Sequence, residues 1–276
     1  MPSKQVIISS LFWKFFERCG TQLIQFVLAI VLARVLAPND FGLVALVMVF
    51  IAIANVFVQS GLNTALIQKK DADDLDFSSV FIASLGIAAI LYVALFFCSP
   101  VIANFYNNET LVPVIRVLSL TLFLGAINSV QLAYISRNMM FKKLFYRSLG
   151  AMIPSGILGI FFAMTGFGVW ALVIQQLSNI LLAIVIMWFT VPWRPRFHFS
   201  LSRIKRLFSF GWKLLCSALL ETGYNNLTGL IIGKFFSPSS LAFFNRGEHF
   251  PSFLVNNINN SIQPVMLPDL AVHQDD

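Results

Sequence analysis

The chain has 276 residues, of which 58% are hydrophobic and 11% are charged, and its mean hydropathy is +0.80. An ordinary soluble domain carries about 25% charged residues, so this composition excludes a soluble globular protein and predicts an integral membrane protein. The formal net charge of +7 lies mainly in loops between apolar segments. That placement indicates membrane topology, and we expect no nucleic-acid partner.

Eight apolar segments follow one another along the chain, and seven of them are long enough to cross a membrane, which takes about 20 residues. The seven lie at roughly 9–36, 41–67, 78–103, 111–136, 146–165, 167–191 and 209–236, and the weaker eighth lies at 241–267. The eighth contains Arg246 and several asparagines, and is predicted as a helix mainly because it repeats the second. The pattern predicts an all-α fold, a polytopic membrane helix bundle.

One sequence pattern occurs twice, because Ala33–Gly42 has its counterpart at Gly233–Ala242, 200 residues later. Each copy ends a long apolar segment, and its proline, Pro38 or Pro238, is expected to end one helix and start the next. Helices seven and eight therefore repeat helices one and two. Duplicated units of membrane helices are typical of secondary transporters, whose substrate path lies between the two halves.

The repeat predicts a complete six-helix lobe at 1–191, a basic cytoplasmic linker at 192–208, and the first two helices of a repeated second lobe at 209–276. A second lobe as long as the first would extend well past Asp276, so we expect a C-terminally truncated piece of a roughly twelve-helix transporter. The alternative is a half-transporter that pairs with itself. By the positive-inside rule, the lysine- and arginine-rich loops and the N-terminus are expected to be cytoplasmic.

Polar residues form a stripe along each of the two repeat-related helices, at three- and four-residue spacing that places them on one helix face. The first stripe is Lys14, Glu17, Arg18, Thr21, Gln22 and Gln25, and the second is Lys213, Ser217, Glu221, Tyr224, Asn225 and Thr228. Charged residues at membrane depth normally face a protein interior or a watery cavity, so the stripes predict a substrate path. For Lys14, Glu17 and Arg18 the alternative is a solvated turn at the membrane interface.

Other polar groups are predicted to have structural roles. Amide stripes on the second, fourth and sixth helices are expected to join neighbouring helices; they include Asn55, Gln59, Asn63, Asn128, Gln131, Gln175, Gln176 and Asn179. The acidic run Asp71–Asp76 is interpreted as a solvated loop with a helix N-cap near Asp76, not as a metal site of a glycosyltransferase. The three cysteines are scattered in apolar segments, so no metal, disulfide or other cofactor is expected.

Three segments carry a family resemblance: Val31–Ala45, Gln59–Gln68 and Gly166–Leu172. They closely resemble the polysaccharide-exporting flippases of the multidrug/oligosaccharidyl-lipid/polysaccharide exporter superfamily, best the bacterial branch associated with colanic acid and O-antigen. The resemblance implies a multi-pass inner-membrane protein of two six-helix lobes that moves undecaprenyl-diphosphate-linked oligosaccharide between leaflets. It implies a transporter and not an enzyme, with a polysaccharide polymerase and a chain-length regulator as further partners besides membrane lipid.

Within that mechanism the stripes supply the candidate site. Cations offset the diphosphate charge through charge-assisted bonds, and the candidates are Lys14, Arg18 and Lys213. The candidates for sugar contacts are Gln22, Gln25, Tyr224 and Asn225, and those for ion coupling are Glu17 and Glu221. Two other functions stay open: a drug/cation antiporter of the same superfamily, and a membrane polysaccharide polymerase or glycosyltransferase, for which the outer loops are short.

Overall fold

The computed structural model describes residues 4–59, 62–63, 66, 73–138, 140–195 and 199–247, with the side chains of 4–11, 137 and 210 excepted. Within these ranges the chain is all-α, without a strand. The helices are α1 (Lys4–Val35), α2 (Pro38–Gln59), α3 (Asp74–Phe105), α4 (Leu111–Leu118), α5 (Thr121–Arg137), α6 (Phe141–Met164), α7 (Val169–Thr190), α8 (Leu201–Phe235) and α9 (238–247).

Six helical segments are long and apolar enough to cross a membrane, which confirms the predicted all-α membrane bundle. They are Phe12–Val35, Pro38–Gln59, Asp74–Phe105, Leu111–Ser136, Phe141–Met164 and Val169–Thr190. The fourth combines α4 and α5, which are separated by a turn at Ser119 and Leu120. Helix α8 is not among the six, and the second lobe stays a prediction.

Helix α8 begins at Leu201, earlier than the apolar run starting near 209 predicts. Two contacts hold these two extra turns against the preceding part of the bundle: Leu207 is buried in a core cluster with Trp193 and Phe77, and Arg203 pairs with the start of α3. Hydropathy alone misses such a turn because its outer face is basic. The second part of the predicted linker is thus helical.

Glycines on α6 set how closely its neighbours approach. A Cβ at Gly156 would lie 2.6 Å from Leu28 Cδ2 of α1, and one at Gly159 would lie 2.9 Å from Gln175 Cβ of α7. Small residues at helix contacts let membrane helices pack closely. Helix α6 therefore packs along both α1 and α7, and this three-helix group forms one side of the cavity described below.

The two proline-led junctions have the same backbone arrangement. At the α1–α2 junction the Leu36 N–H donates to the Leu32 carbonyl at 2.9 Å, and at the α8–α9 junction Phe236 donates to Ile232 at 3.0 Å. Each junction then bends and restarts as a helix at a proline. We call this end of the bundle the proline end, and the opposite end, where α1, α3, α6 and α8 begin, the basic end.

The proline end is closely packed. A Cβ at Gly42 would lie 1.7 Å from the Pro238 carbonyl oxygen, so α2 touches the start of α9 backbone to backbone. A Cβ at Gly233 would lie 2.9 Å from Leu46 Cδ1. Lys234 donates to the Phe105 carbonyl, and its Nζ lies 4.0 Å from the centre of the Phe105 ring. These contacts hold α8 and α9 against α2 and α3.

Candidate substrate cavity

A cavity of about 640 Å³ lies between α1, α2, α7 and α9. Apolar side chains form much of its wall, and six polar side chains are also part of it. Those six are Gln25, Gln175, Gln176, Asn179, Asn245 and Arg246. A mostly apolar concave site with a few polar groups is the usual form of a binding site for a small ligand or a ligand headgroup.

Arg246 is the one charged residue among the described residues that line the cavity. Its Nη1 donates to the Ala29 carbonyl of α1 at 3.3 Å, and its guanidinium carbon lies 4.6 Å from the centre of the Phe41 ring. The carbonyl bond and the cation–π contact hold the guanidinium of α9 against α1 and α2. A guanidinium has five N–H donors and matches phosphate geometry, so the remaining donors suit an anionic group in the cavity.

Amides of α7 give the cavity both donors and acceptors. The Nε2 of Gln176 donates a hydrogen bond to the Met48 sulfur of α2 at 3.2 Å, and Gln175 packs on Gly159. The sequence predicts these amides as links between helices; Gln176 makes such a link to α2, and Gln175, Gln176 and Asn179 also line the cavity. Side-chain amides of this kind can replace water around sugar hydroxyls because each offers a carbonyl oxygen and two N–H donors.

One residue of the first predicted stripe lines the cavity, and three others lead to it. Gln25 is in the lining, while Lys14, Arg18 and Gln22 precede it on the same face of α1 at spacings of four, four and three residues. Lys14 is exposed at the basic end, with its Nζ 5.6 Å from the Phe141 ring centre. The stripe thus runs from the basic end of α1 to the cavity wall.

Glu17 of the same stripe contacts α6 and is not part of the cavity lining. Its Oε1 accepts a hydrogen bond from Ser148 Oγ of α6 at 2.8 Å, and its charge also interacts with Arg147. The carboxylate is therefore turned into the α1–α6 contact, away from the face that carries Gln25. Its proposed part in ion coupling stays a prediction.

The second predicted stripe is exposed along its whole length. The structure leaves four predicted site residues of this stripe exposed, while α8 packs mainly on α2 and α3; they are Lys213, Glu221, Tyr224 and Asn225. The structure therefore does not bring the two stripes into contact. The roles assigned to these four residues stay predictions.

Arg246 and Asn245, like the α7 amides, are polar cavity residues that sequence reasoning did not propose as site residues. The signal was available, because Arg246 is an arginine eight residues after Pro238 in a segment predicted to lie in the membrane. Ionisable residues at membrane depth are functional candidates by default. The prediction for this segment depends on its weak hydropathy and on the repeat. In that prediction Arg246 is only evidence against a helix, and its value as a site residue is overlooked.

The predicted N-cap near Asp76 is confirmed, but the predicted solvated loop is wrong for Asp74–Asp76, which belong to the first turn of α3, with Asp76 buried. Asp73 is the N-cap of α3, and its carboxylate accepts from the Asp76 N–H at 3.0 Å while Asp76 Oδ2 accepts from the Asp73 N–H at 3.2 Å. Arg203 Nη1 lies 2.6 Å from Asp73 Oδ1. Burial would raise the pKa of Asp73, but the Asp76 N–H and the Arg203 charge outweigh it and hold that pKa below its ordinary value. Asp71 lies outside the described residues.

Comparison with known proteins gives a consistent family assignment. A family model described as "Polysaccharide biosynthesis protein" matches residues 31–276. The chain is 25% identical over 261 residues to the succinoglycan biosynthesis transport protein ExoT of Rhizobium meliloti, covering 93% of this chain and 52% of that protein. It is 29% identical over 225 residues to the teichuronic acid biosynthesis protein TuaB of Bacillus subtilis, covering 79% and 46%.

A third relative is the lipopolysaccharide biosynthesis protein WzxC of Escherichia coli, 25% identical over 89% of this chain and 50% of that protein. The chain spans about half the length of the curated relatives it matches. Among solved structures, an inward-facing multidrug resistance MATE family transporter of the MOP superfamily matches with a TM-score of 0.54 and 17% identity, over 81% of this chain and 56% of that one. The chain therefore belongs to the polysaccharide biosynthesis protein family, and its fold is shared with that MATE family transporter.

Proposed function

We propose that the protein is a membrane transporter that moves undecaprenyl-diphosphate-linked oligosaccharide across the bacterial inner membrane during surface polysaccharide assembly. The observation that carries this proposal is the cavity between α1, α2, α7 and α9, with its amides and single arginine, in a member of the polysaccharide biosynthesis family. The names of two relatives, a succinoglycan transport protein and a lipopolysaccharide biosynthesis protein, support the same substrate class.

The cavity offers each part of such a substrate a matching surface. The diphosphate would bind Arg246, whose guanidinium is already fixed by Phe41 and the Ala29 carbonyl. Hydroxyls of the sugars would bind the amides of α1 and α7, and the polyprenyl tail would stay in lipid. An anion in the hydrocarbon region needs such partners, because without them its desolvation is costly.

The stripe on α1 would receive the headgroup before it reaches the cavity. Lys14 and Arg18 lie between the basic end and Gln25 on the same helix face. In this proposal they and Lys213 attract the diphosphate at the cytoplasmic side, which places the N-terminus in the cytoplasm. Glu17 and Glu221 are retained as candidates for ion coupling, and a polymerase and a chain-length regulator are retained as partners.

Substitution of Arg246 tests the proposal. In cells that lack their own copy of the gene, Arg246→Gln should lower surface polysaccharide by about tenfold or more, the effect of one hydrogen-bonded charge. Undecaprenyl-linked oligosaccharide should then accumulate inside the cell. The matched control is Arg206→Gln, which removes an exposed arginine of α8 outside the cavity and should leave export unchanged.

The contrary outcomes are also measurable. Equal export by the Arg246→Gln and Arg206→Gln variants would refute the role of the cavity. If export of cationic dyes follows the protein while polysaccharide does not, the drug/cation antiporter is correct and the flippase is wrong.

A further inference from the structure

A second, separate groove lies on the outer surface of the bundle, along the contact between α1 and α6. Its volume is about 220 Å³, and its walls are apolar side chains only: Leu23, Ile24, Val27, Leu28, Ile153 and Ile157. Four of these, including Leu23 and Ile157, are about half exposed or more. We call this groove and its continuation toward the basic end the α1–α6 seam.

The seam continues as one surface to the basic end. On α6, exposed residues from Lys142 to Ile157 lie on one helix face at spacings of four, seven and four residues, and Leu149 between them packs on Gly20 of α1. On α1, the parallel row starts at Trp13 and ends at Val27. The two rows meet at the basic end, where the Trp13 and Tyr146 rings lie 6.1 Å apart.

A cation and aromatic rings close the seam at the basic end. Lys142 Nζ lies 5.3 Å from the Trp13 ring centre and makes no ion pair with a described residue. The next residue, Lys143, is turned away, because its Nζ donates to the Thr190 carbonyl of α7 at 2.6 Å. Tryptophan and lysine at the end of a membrane helix suit the headgroup region of a bilayer.

The length of the seam fits one leaflet. Lys142 and Ile157 are 15 residues apart, which is about 22 Å along a helix. A bilayer is about 40–45 Å thick with its headgroups, so one leaflet is about 20–22 Å. A molecule with an anionic phosphate at Lys142 and an apolar chain along the seam would therefore match it in both charge and length.

Leu28 separates the seam from the substrate cavity where α1 contacts α6. This residue belongs to both linings, and it packs so tightly that a Cβ at Gly156 would lie 2.6 Å from its Cδ2. On the other side of α1, Ile30 of the cavity lining shares a helix face with Leu23 and Val27 of the seam. A ligand whose headgroup is in the cavity therefore cannot place its chain in the seam between Leu28 and Gly156, and the undecaprenyl phosphate probe below tests the path along the Ile30 side.

We infer that the α1–α6 seam is a binding site for one anionic glycerophospholipid, with its phosphate at Lys142 and Trp13 and an acyl chain between α1 and α6. This lipid is distinct from the transported substrate. Its acyl chain fills the groove that the two helices leave open, so it supports the position of α1 beside the cavity.

Native mass spectrometry of the purified, delipidated protein tests this site, with dioleoylphosphatidylglycerol and dioleoylphosphatidylcholine as probes. Phosphatidylglycerol should bind with a defined first site, and Lys142→Gln should weaken that site about fivefold, the usual effect of one lysine near an anionic lipid surface. The control Lys205→Gln removes an exposed lysine of α8 at the same end and should leave the affinity of the first phosphatidylglycerol site unchanged. Equal losses in the two variants, or equal binding of the two lipids, would overturn the inference.

A second pair of variants tests the groove itself. Ile157→Trp places a large ring in the groove from a lipid-exposed position, and should remove the first phosphatidylglycerol site. Leu181→Trp makes the same change at an exposed position of α7, away from the seam, and should retain it. Undecaprenyl phosphate serves as the third probe. If it displaces phosphatidylglycerol from the wild type but not from Lys142→Gln, the occupant is the substrate carrier and our assignment is wrong.

Discussion

The two ends of the bundle hold α8 and α9 against α2 and α3 by different physical means. At the proline end, Gly42 and Gly233 allow direct contact with Pro238 and Leu46, and the contact is steric. At the basic end, Arg203 pairs with half-exposed Asp73 and with buried Asp76. Close packing excludes even one methyl group, whereas an exposed ion pair such as the one with Asp73 is weakened by water and salt. Substitution is therefore expected to be costly at Gly42 and mild at Asp73.

The largest effect is expected at Gly42. Alanine there would place Cβ 1.7 Å from the Pro238 carbonyl oxygen, and backbone atoms cannot move aside as a side chain can. We expect Gly42→Ala to destabilise by about 3 kcal/mol or more, the upper end for overpacked contacts. The measurement is thermal unfolding in detergent.

Gly86 provides the matched control for Gly42. It also lies inside a helix, α3, and a Cβ there would meet nothing within 4 Å. Alanine is favoured over glycine in a helix by about 1 kcal/mol, so Gly86→Ala should be neutral or stabilising. Equal melting temperatures for the two variants would show that the backbone contact at the proline end is unimportant.

A smaller loss is expected at Gly156 of α6. A Cβ there would lie 2.6 Å from Leu28 Cδ2, which is the end of a side chain that can rotate away. We expect Gly156→Ala to cost about 1–3 kcal/mol and to widen the α1–α6 contact. The melting temperature should lie between those of Gly42→Ala and Gly86→Ala. A value below that of Gly42→Ala would reverse the proposed order of the two contacts.

The fold was largely predictable because its signals are local. Apolar runs predict the membrane segments, and the prolines at 38 and 238 predict both junctions. The cavity was less predictable, since its wall depends on which helices cross. Three-residue spacing places Glu17 at the edge of the polar stripe. Its carboxylate points toward α6 because Ser148 of that helix donates a hydrogen bond to it, and the sequence alone does not show this contact. Arg246 becomes a cavity residue only when α9 lies beside α1.

A moderate effect is expected at Ser99, which supports an internal proline. Pro100 has no N–H, so the Phe96 carbonyl loses its helical partner, and the Ser99 hydroxyl donates to it at 2.8 Å instead. Arg116 Nε in turn donates to Ser99 Oγ at 3.1 Å. Ser99→Ala should cost about 1 kcal/mol, a common value for side-chain hydrogen bonds in membrane proteins. The measurement is the free energy of unfolding in detergent. Ser99→Thr keeps the hydroxyl and should recover most of the lost stability.

The smallest effect is expected at Asp73 of the basic end, whose side chain is half exposed. The pKa of Asp73 lies below its ordinary value of 3.8, so its stabilising contribution is fully present above pH 3.8 and is lost as the pH falls through the lowered folded pKa. Asp73→Asn keeps an N-cap oxygen for the Asp76 N–H and leaves Arg203 paired with buried Asp76. This variant should therefore unfold slightly more easily than the wild type near neutral pH, and the two should converge in acid. Added salt should also reduce the difference, because it screens exposed charges. A difference that persists in acid and in high salt would mean that Asp73 acts through the helix cap alone, and would remove the contrast between the two ends.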